Sequence, residues 1–327
     1  MIKQADTEAK LEDLEKRYLG RKGELTQILR GLKDLSDQER KESGALANNI
    51  KQELTSFISE IKKDILSSDE SVPVDVSLPG KRIKRGHLNP ITLVQNELED
   101  VFTSLGFVVL DGPELESDYY CFEALNIPKY HPARDMQDTF YIDKKNQDDE
   151  YDLVMRTHTS PVQIRGLEKF GAPIRMVVPG RVFRNEDLDA CHEHTFYQIE
   201  CLMVDKDISI ANFRSVVQEM LSGIFKQEVR IRLRPGFFPF VEPGFEIDMS
   251  CTICGGRTCP SCKNTGWLEM GGAGMVHPNV LRSGGVDPEE YSGFAFGFGI
   301  DRITMMKFGI DDIRFFNSGD LRFLNQF

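Results

Sequence analysis

From Leu11 to Leu66 the chain carries no proline, and its apolar residues recur at helical spacing: Leu46, Ile50, Leu54, Phe57, Ile58, Ile61 and Ile65 form one stripe. The spacing predicts a long amphipathic helix. An earlier stripe, Leu25, Ile28, Leu29, Leu32 and Leu35, is separated from it by DLSDQER, where Ser36 and Glu39 have the spacing of a capping box opening the second helix. An antiparallel helical hairpin over residues 1–68 is the simplest arrangement. A helix of about 28 residues rises about 42 Å, so such an arm would project beyond a globular body. Within it, YLGRKGEL sets Arg21 and Lys22 between two glycines, weakening the helix and presenting cations either to phosphate or to solvent.

Residues 67–90 contain three prolines and two glycines, and the composition shifts from helical to extended, which places a linker at 69–89. Its KRIKR run could touch phosphate, although so short a basic run is usually just solvated. From Pro90 the helical pattern ITLVQNELEDVFTSLG leads into a β-type run, FVVLDGPE. The segments DTFYID, IRMVVPGRVFRN, TFYQIECLMVD, VRIRLRP, FEIDM and SGFAFGFG also read as strands, with long helices only at 158–170 and 208–227. Helix and strand do not alternate as a doubly wound sheet requires. The pattern predicts an α+β domain over 90–327, a mostly antiparallel sheet flanked by helices. Neither a P-loop nor a post-strand G-x-G-x-x-G is present, so a nucleotide would be held by other means.

Composition narrows the setting. The net charge of -12 argues against a chain-wide nucleic-acid surface and restricts any RNA contact to a local patch or a shared one. Apolar runs such as FVVL are far shorter than the roughly 20 residues that span a bilayer, and MIKQADTEAK lacks a signal-peptide core, which predicts a soluble cytosolic protein. Of the seven cysteines, Cys251, Cys254, Cys259 and Cys262 form two C-x-x-C pairs in CTICGGRTCPSCKNTGWL. Four thiolates at that spacing can close a tetrahedral zinc site with no open position, a structural arrangement, although reduced thiols without metal fit the same words. Cys121, Cys191 and Cys201 read as ordinary residues.

Charge is concentrated in VVPGRVFRNEDLDACHEHTFYQIECLMVD, residues 177–205, read as two strands and a polar loop. Arg184 and Glu186 share one strand face, as do Phe196, Gln198 and Glu200, so a cation, two carboxylates, an aromatic and an amide line one surface. Cross-strand ion pairing alone would account for the arginine and glutamates but not for so many polar residues beside an apolar strand. In GFAFGFGIDRITMMKFG, glycines recur in an aromatic strand and Arg302 follows on a helix. Such glycines let a flat ligand approach the backbone, and an arginine can hold phosphate in its planar fork.

Together these two segments resemble motifs 2 and 3 of class II aminoacyl-tRNA synthetases. HPARDMQDTFY, RTHTSPVQIR, PGRVFRNE, FFPFVEPG, GMVHPNVL and DLRFLNQF are similar to the α subunits of bacterial phenylalanyl-tRNA synthetase over nearly the whole chain, the cysteine stretch excepted. The resemblance implies ATP-dependent activation of L-phenylalanine and transfer to the 2′-hydroxyl of the terminal adenosine of tRNA(Phe). It implies a partner β subunit in a two-alpha, two-beta assembly, with Pro113 near the α/β interface and the arm reaching tRNA. By resemblance, Arg184 holds the α-phosphate, Arg302 the γ-phosphate, Glu186 the adenine amino group, Phe196 the adenine ring, and His192 sits near the triphosphate. His158, Ser160, Gln198 and Glu200, with Gln163 beside them, hold the amino acid's polar head; Phe238 and Phe240, alternating in a strand, meet its ring; and Ala295 closes the pocket floor. Glu242 matches a Mg2+ ligand. Each has a plainer reading: Phe238 and Phe240 as core, His158 as a helix cap, His192 and His194 beside Cys191 as metal ligands.

Overall fold

A computed structural model gives the structure of the chain and describes residues 7–34, 36–67, 80 and 86–327. The KRIKR run, most of the linker, Leu35 and the side chain of Ile65 lie outside the described residues. Two compact units result, Met1–Lys84 and Arg85–Phe327.

The first unit is helical: α1 (Glu8–Leu19), α2 (Glu24–Gly31) and α3 (Asp37–Ser67). The helix weakening expected at YLGRKGEL is a full break between α1 and α2, where the chain turns so tightly that a Cβ on Gly20 would lie 2.3 Å from the Lys16 carbonyl oxygen. Thr26 Oγ1 donates to the Gly20 carbonyl and Arg17 pairs with Glu24 across the break. At the next turn the Glu39 carboxylate accepts from both the Ser36 N–H and its hydroxyl, the carboxylate half of the predicted box. With 31 residues, α3 runs about 46 Å. Its buried line departs from the predicted stripe. Ile58 is buried and Leu54, Phe57 and Ile61 are half-buried, but Leu46 and Ile50 are exposed and Ala47 takes the inward place. Ala47, Leu54, Ile58 and Ile61 follow one another at steps of seven, four and three, so the inward line keeps helical spacing and Leu46 and Ile50 fall to its sides.

In the second unit, Asn89 caps α4 (Pro90–Ser104), its side chain accepting the Ile91 N–H. There follow β1 (Val108–Val109), β2 (Leu115–Ser117), α5 (Asp118–Cys121), β3 (Leu153–Met155), α6 (Pro161–Phe170), β4 (Ile174–Phe183), β5 (Thr195–Asp205), α7 (Ile210–Phe225), β6 (Ile231–Pro235), β7 (Val241–Ser250), β8 (Trp267–Val276), α8 (Pro278–Ser283), β9 (Ser292–Gly299), α9 (Ile300–Phe308) and α10 (Leu321–Leu324). Seven strands form one sheet in the order β1-β4-β5-β9-β8-β7-β6, and β2 pairs with β3 separately. Only β1 runs parallel to its neighbour, so the sheet is mostly antiparallel, as the segment pattern predicts.

Side-chain alternation along β9 decides which face carries the site. Phe294, Phe296 and Phe298 enter the main core with Val94, Leu98 and Phe102 of α4 and Phe213 and Val217 of α7. Gly293, Ala295, Gly297 and Gly299 therefore face the other way, where small residues leave open volume. In β5, Ile199, Cys201 and Met203 join the same core, turning Gln198 and Glu200 toward the glycine face.

Three predicted strands are corrected. DTFYID is a single bridge from Tyr141 to Val154, because Asp138 adopts a left-handed φ of 42° and turns follow at once. FVVLDGPE contributes only Val108–Val109 to the sheet. Phe238 and Phe240 do not alternate in a strand; they sit in the turn before β7, closed by a bridge from Phe238 to Val241.

Candidate active site

On the glycine face lies a cavity of about 720 Å³. Its walls include His158, Ser160, Arg184, Phe196, Gln198, Glu200, Phe238 and Phe240, residues drawn from four separate stretches of sequence. The volume is that of a small-molecule site.

One end is a set of acceptors. Glu200 is buried on β5, and its Oε1 accepts from Ser160 Oγ at 2.8 Å and from Gln163 Nε2 at 2.5 Å. Gln198 Nε2 donates to Oε2 at 3.1 Å, which leaves Gln198 Oε1 buried without a partner. Burial pushes the Glu200 carboxyl up to about 7, against the two donors from Ser160 and Gln163. His158 is buried and both ring nitrogens lack partners. Burial, then the positive charges of Arg184 and Arg156, pull it down to about 3, so the imidazole is neutral. It does not cap α6; Ser160 occupies the N-cap position and gives its hydroxyl to Glu200 instead. Orphaned buried acceptors are costly unless a ligand completes them, and a protonated amine fits the set.

Arg184 supplies the opposite chemistry. It lies just beyond the end of β4, its Nε donating to the Thr157 carbonyl at 3.2 Å, with Glu186 at 3.7 Å and the Phe196 ring 5.1 Å from the guanidinium carbon. Burial lowers its pKa, with Glu186 opposing, yet it stays charged. A cation fixed this way can hold an anion where charge develops. At the apolar end, the Phe238 and Phe240 rings stack with centroids 6.0 Å apart, and the Phe240 ring lies 6.4 Å from His158. A Cβ on Gly272 would lie 2.6 Å from Phe238 Cζ, so only glycine lets that ring settle.

The other predicted residues fall outside the lining. Gln163 acts through Glu200, and Glu186 through Arg184. Ala295 is buried beneath, in the second core cluster against which Phe238 and Phe240 pack. Arg302, exposed on α9, donates from Nε to the Glu269 carbonyl at 3.0 Å, three residues past the cavity-lining Gly299. His192 sits on the exposed loop after β4, its Nδ1 2.9 Å from Asp189, which raises its pKa. Glu242 is exposed in a neighbouring cleft, 3.5 Å from His277 Nε2. Sequence reasoning assigned no role to His131, Met136 and Gln137, which form one wall, although HPARDMQDTFY was singled out as a motif. Gln137 Oε1 and Thr139 Oγ1 are further buried acceptors without partners.

The cysteine stretch forms a separate centre. Sγ separations are 3.7 Å for Cys251 and Cys259, 4.0 Å for Cys254 and Cys262 and 3.6 Å for Cys259 and Cys262, and all four lie within 4.8 Å of one another. A tetrahedral zinc with bonds of about 2.3 Å needs edges of about 3.8 Å, so the donor set fits. Cys262 Sγ accepts the N–H groups of Cys259 and Gly266, which favours its thiolate over the opposing effect of burial. Among the described residues this is the one cluster of three or more potential ligands; His192 and His194 do not join another.

Comparison with known proteins adds an independent line. The profile of tRNA synthetases class II core domain (F) matches residues 73–327, and that of the aminoacyl tRNA synthetase class II N-terminal domain matches residues 6–71. The phenylalanine–tRNA ligase alpha subunit of Bacillus licheniformis is 48% identical over 335 residues, covering 100% of this chain and 95% of its own length. Those of Caldanaerobacter subterraneus and Leptospira biflexa are also 48% identical, over 331 and 335 residues, each covering 100% of this chain and 96% and 95% of their own.

Proposed function

Because the chain belongs to the phenylalanyl-tRNA synthetase alpha-subunit family of class II synthetases, we propose that its cavity binds L-phenylalanine and ATP, forms the phenylalanyl adenylate, and passes the amino acid to tRNA(Phe). It is the catalytic alpha subunit of that ligase. The observation that supports this assignment of residues is the opposition within one cavity of amine acceptors, a half-buried arginine and an aromatic wall. His158, Gln198 and Glu200 receive the ammonium side of the substrate; Phe238 and Phe240 meet its ring edge to face or by stacking. Arg184 neutralises the α-phosphate as the carboxylate attacks, while Phe196 and Glu186 hold the adenine and Arg302 the γ-phosphate. Positioning and charge neutralisation suffice for this step, and no general base is required.

Magnesium serves class II synthetases generally, neutralising phosphate oxygens. In this chain Glu242 is the carboxylate assigned to it; an exposed oxygen donor suits a hard cation. The four cysteines hold one structural zinc. In the helical unit, Arg21 and Lys22 at the glycine break are offered to tRNA phosphates, and a beta chain completes a two-alpha, two-beta enzyme with Pro113 near their contact. None of the described helices is long and apolar enough to cross a membrane; the proposed location is the cytoplasm. The decisive assay is phenylalanine-dependent ATP–pyrophosphate exchange by the chain co-expressed with its beta partner. Absence of exchange in the assembled pair would overturn the proposal.

Two further outcomes are expected. Below pH 7 the buried Glu200 is protonated in the free chain, because its pKa stands near 7 rather than at the ordinary 4.5. Binding an ammonium group requires the carboxylate and releases that proton. The KM for phenylalanine therefore rises as pH falls below about 7, approaching about tenfold per unit. The stability linked to this carboxyl has the opposite course: it is full below 4.5 and lost as pH rises through about 7. A KM flat between pH 5.5 and 7.5 would remove Glu200 from the ammonium site. Secondly, Gly297→Ala places a methyl 2.5 Å from Gln198 Nε2 and 3.0 Å from Glu200 Oε2. These are side-chain ends that can swing aside, so the fold persists while the acceptors shift, and KM for phenylalanine rises by about tenfold or more. Steady-state kinetics with melting curves read both effects.

A further inference from the structure

Beneath the cavity, Arg156 is fully buried, yet among the described residues no carboxylate pairs with its guanidinium. Its Nε donates to the Arg181 carbonyl at 2.8 Å and its Nη1 to the Gly112 carbonyl at 3.0 Å. Its backbone is equally engaged: the N–H donates to the Glu114 carbonyl and the carbonyl accepts from Phe183 N–H. Gly180 makes room for it, since a Cβ there would lie 2.2 Å from Arg156 Nη2. A buried cation held by carbonyls alone is expensive, and burial lowers its pKa, with Asp111 and Glu114 opposing. A leucine or methionine would fill the same space at lower cost.

Its neighbours give the reason for the charge. Segment 112–118 is clasped by four arginines, each from a stretch that also bears a wall or partner residue of the cavity. Arg156 holds the Gly112 carbonyl and precedes Thr157, His158 and Ser160. Arg181 binds Glu114 through two bonds and leads along β4 to Arg184. Arg165 binds Glu116 at 2.6 and 2.7 Å and shares α6 with Gln163. Arg134 pairs with Asp118 at 2.7 Å and lies in the turn that carries Gln137. Arg156 is the central member: Arg181 joins β4 to the segment from within the strand, whereas Arg156, from outside both, bonds to the Gly112 carbonyl and to the Arg181 carbonyl. The next residue, Thr157, supplies the carbonyl that fixes Arg184.

We infer that Arg156 is a positioning residue for amino-acid activation: by tying the Gly112–Pro113 turn to the end of β4 it sets His158, Ser160 and Arg184 in one geometry. The inference rests on the synthetase reading of the cavity. Displacement of those groups by about 1 Å is enough to cost about 100-fold in rate. Arg156 touches no substrate atom in this scheme and acts through Thr157 and Arg184.

The test uses the chain co-purified with its beta partner, with active sites counted by the adenylate burst and rates given per active site. Parent activity in ATP–pyrophosphate exchange establishes the synthetase reading independently. Arg156→Ala is expected to raise KM for phenylalanine and lower kcat, together by about 100-fold in kcat/KM, if the displacement approaches 1 Å. Guanidinium ion at millimolar, non-denaturing concentration should recover at least a tenth of the loss, while sodium and methylammonium at equal ionic strength should not. Gly180→Ala keeps the arginine but pushes a methyl into its fork, and is expected to produce the same kinetic signature without rescue. Either variant folded with parent-like kcat and KM overturns the inference. So does an Arg156→Ala enzyme with fewer active sites but parent-like constants at each. Should Arg156→Ala fail to fold, Gly180→Ala decides the matter alone by the same criterion.

Discussion

Replacing Arg184 with alanine is expected to lower kcat for phenylalanine-dependent ATP–pyrophosphate exchange by roughly 10²–10³-fold, about 3–4 kcal/mol, as when one preorganised donor to developing charge is removed. The size follows from its setting. The guanidinium is half held by protein, through the Thr157 carbonyl and Glu186, and lies half-buried beside the Phe196 ring. Little reorganisation remains when charge grows on the phosphorus oxygens, and water cannot replace the lost cation well. Lysine should recover only part, since a point charge cannot make both the carbonyl contact and a two-pronged phosphate contact. The loss should fall mainly on kcat, with melting temperature little changed. An Arg184→Ala enzyme within threefold of the parent would show that the transition-state charge is met elsewhere.

How much of this was legible in the chain depends on the range of the interactions concerned. Strands β4, β5 and β9 follow from alternation, and the phenylalanines at 294, 296 and 298 show directly why glycine or alanine occupies the positions between them. The proximity of Arg184 to Glu186 and of Gln198 to Glu200 is a two-residue matter, readable from spacing. What spacing does not contain is the register between distant segments. Ser160, Gln163 and Glu200 meet only because α6 packs on β4, the neighbour of β5, and so comes within reach of a residue some forty positions away. The wall of His131, Met136 and Gln137 comes from a short 3-10 turn over Pro132–Gln137 with no periodicity of its own. Arg156 was invisible as a structural keystone because its partners are backbone carbonyls, which leave no trace in residue types. The arm shows the same limit in milder form: the stripe through Leu46 and Ile50 was sound as helix but wrong as buried face, since Ala47 holds the inward position between them.

Metal analysis of the purified chain, handled without chelators, should find one zinc per chain, and Cys259→Ser should release it. Cys259 contacts both Cys251 and Cys262 through sulfur and is one of four vertices, so its loss removes three of the six edges of the tetrahedron. The cost is set by what the knuckle otherwise lacks. Between Ser250 and Trp267 the chain buries little apolar surface, and Lys263, Asn264 and Gly266 take left-handed φ values of 51°, 60° and 76°. Such a turn has few means of holding itself, and a structural zinc supplies its folding energy directly. Loss of a bound metal belongs with the largest single-site effects, about 4 kcal/mol or more, which corresponds to about 8–16 °C for a domain of this size. The effect on catalysis should be smaller than on stability. The knuckle joins β7 to β8, whose ladder from Val241 to Ser250 stays paired, and the cavity residues Met270, Gly271 and Gly272 lie beyond the Trp267–Ser250 pair that closes it. Retained kcat at low temperature with a lowered melting point is thus the expected pattern. Zinc-free protein with parent-like melting would make the four thiols a reduced turn instead of a metal centre.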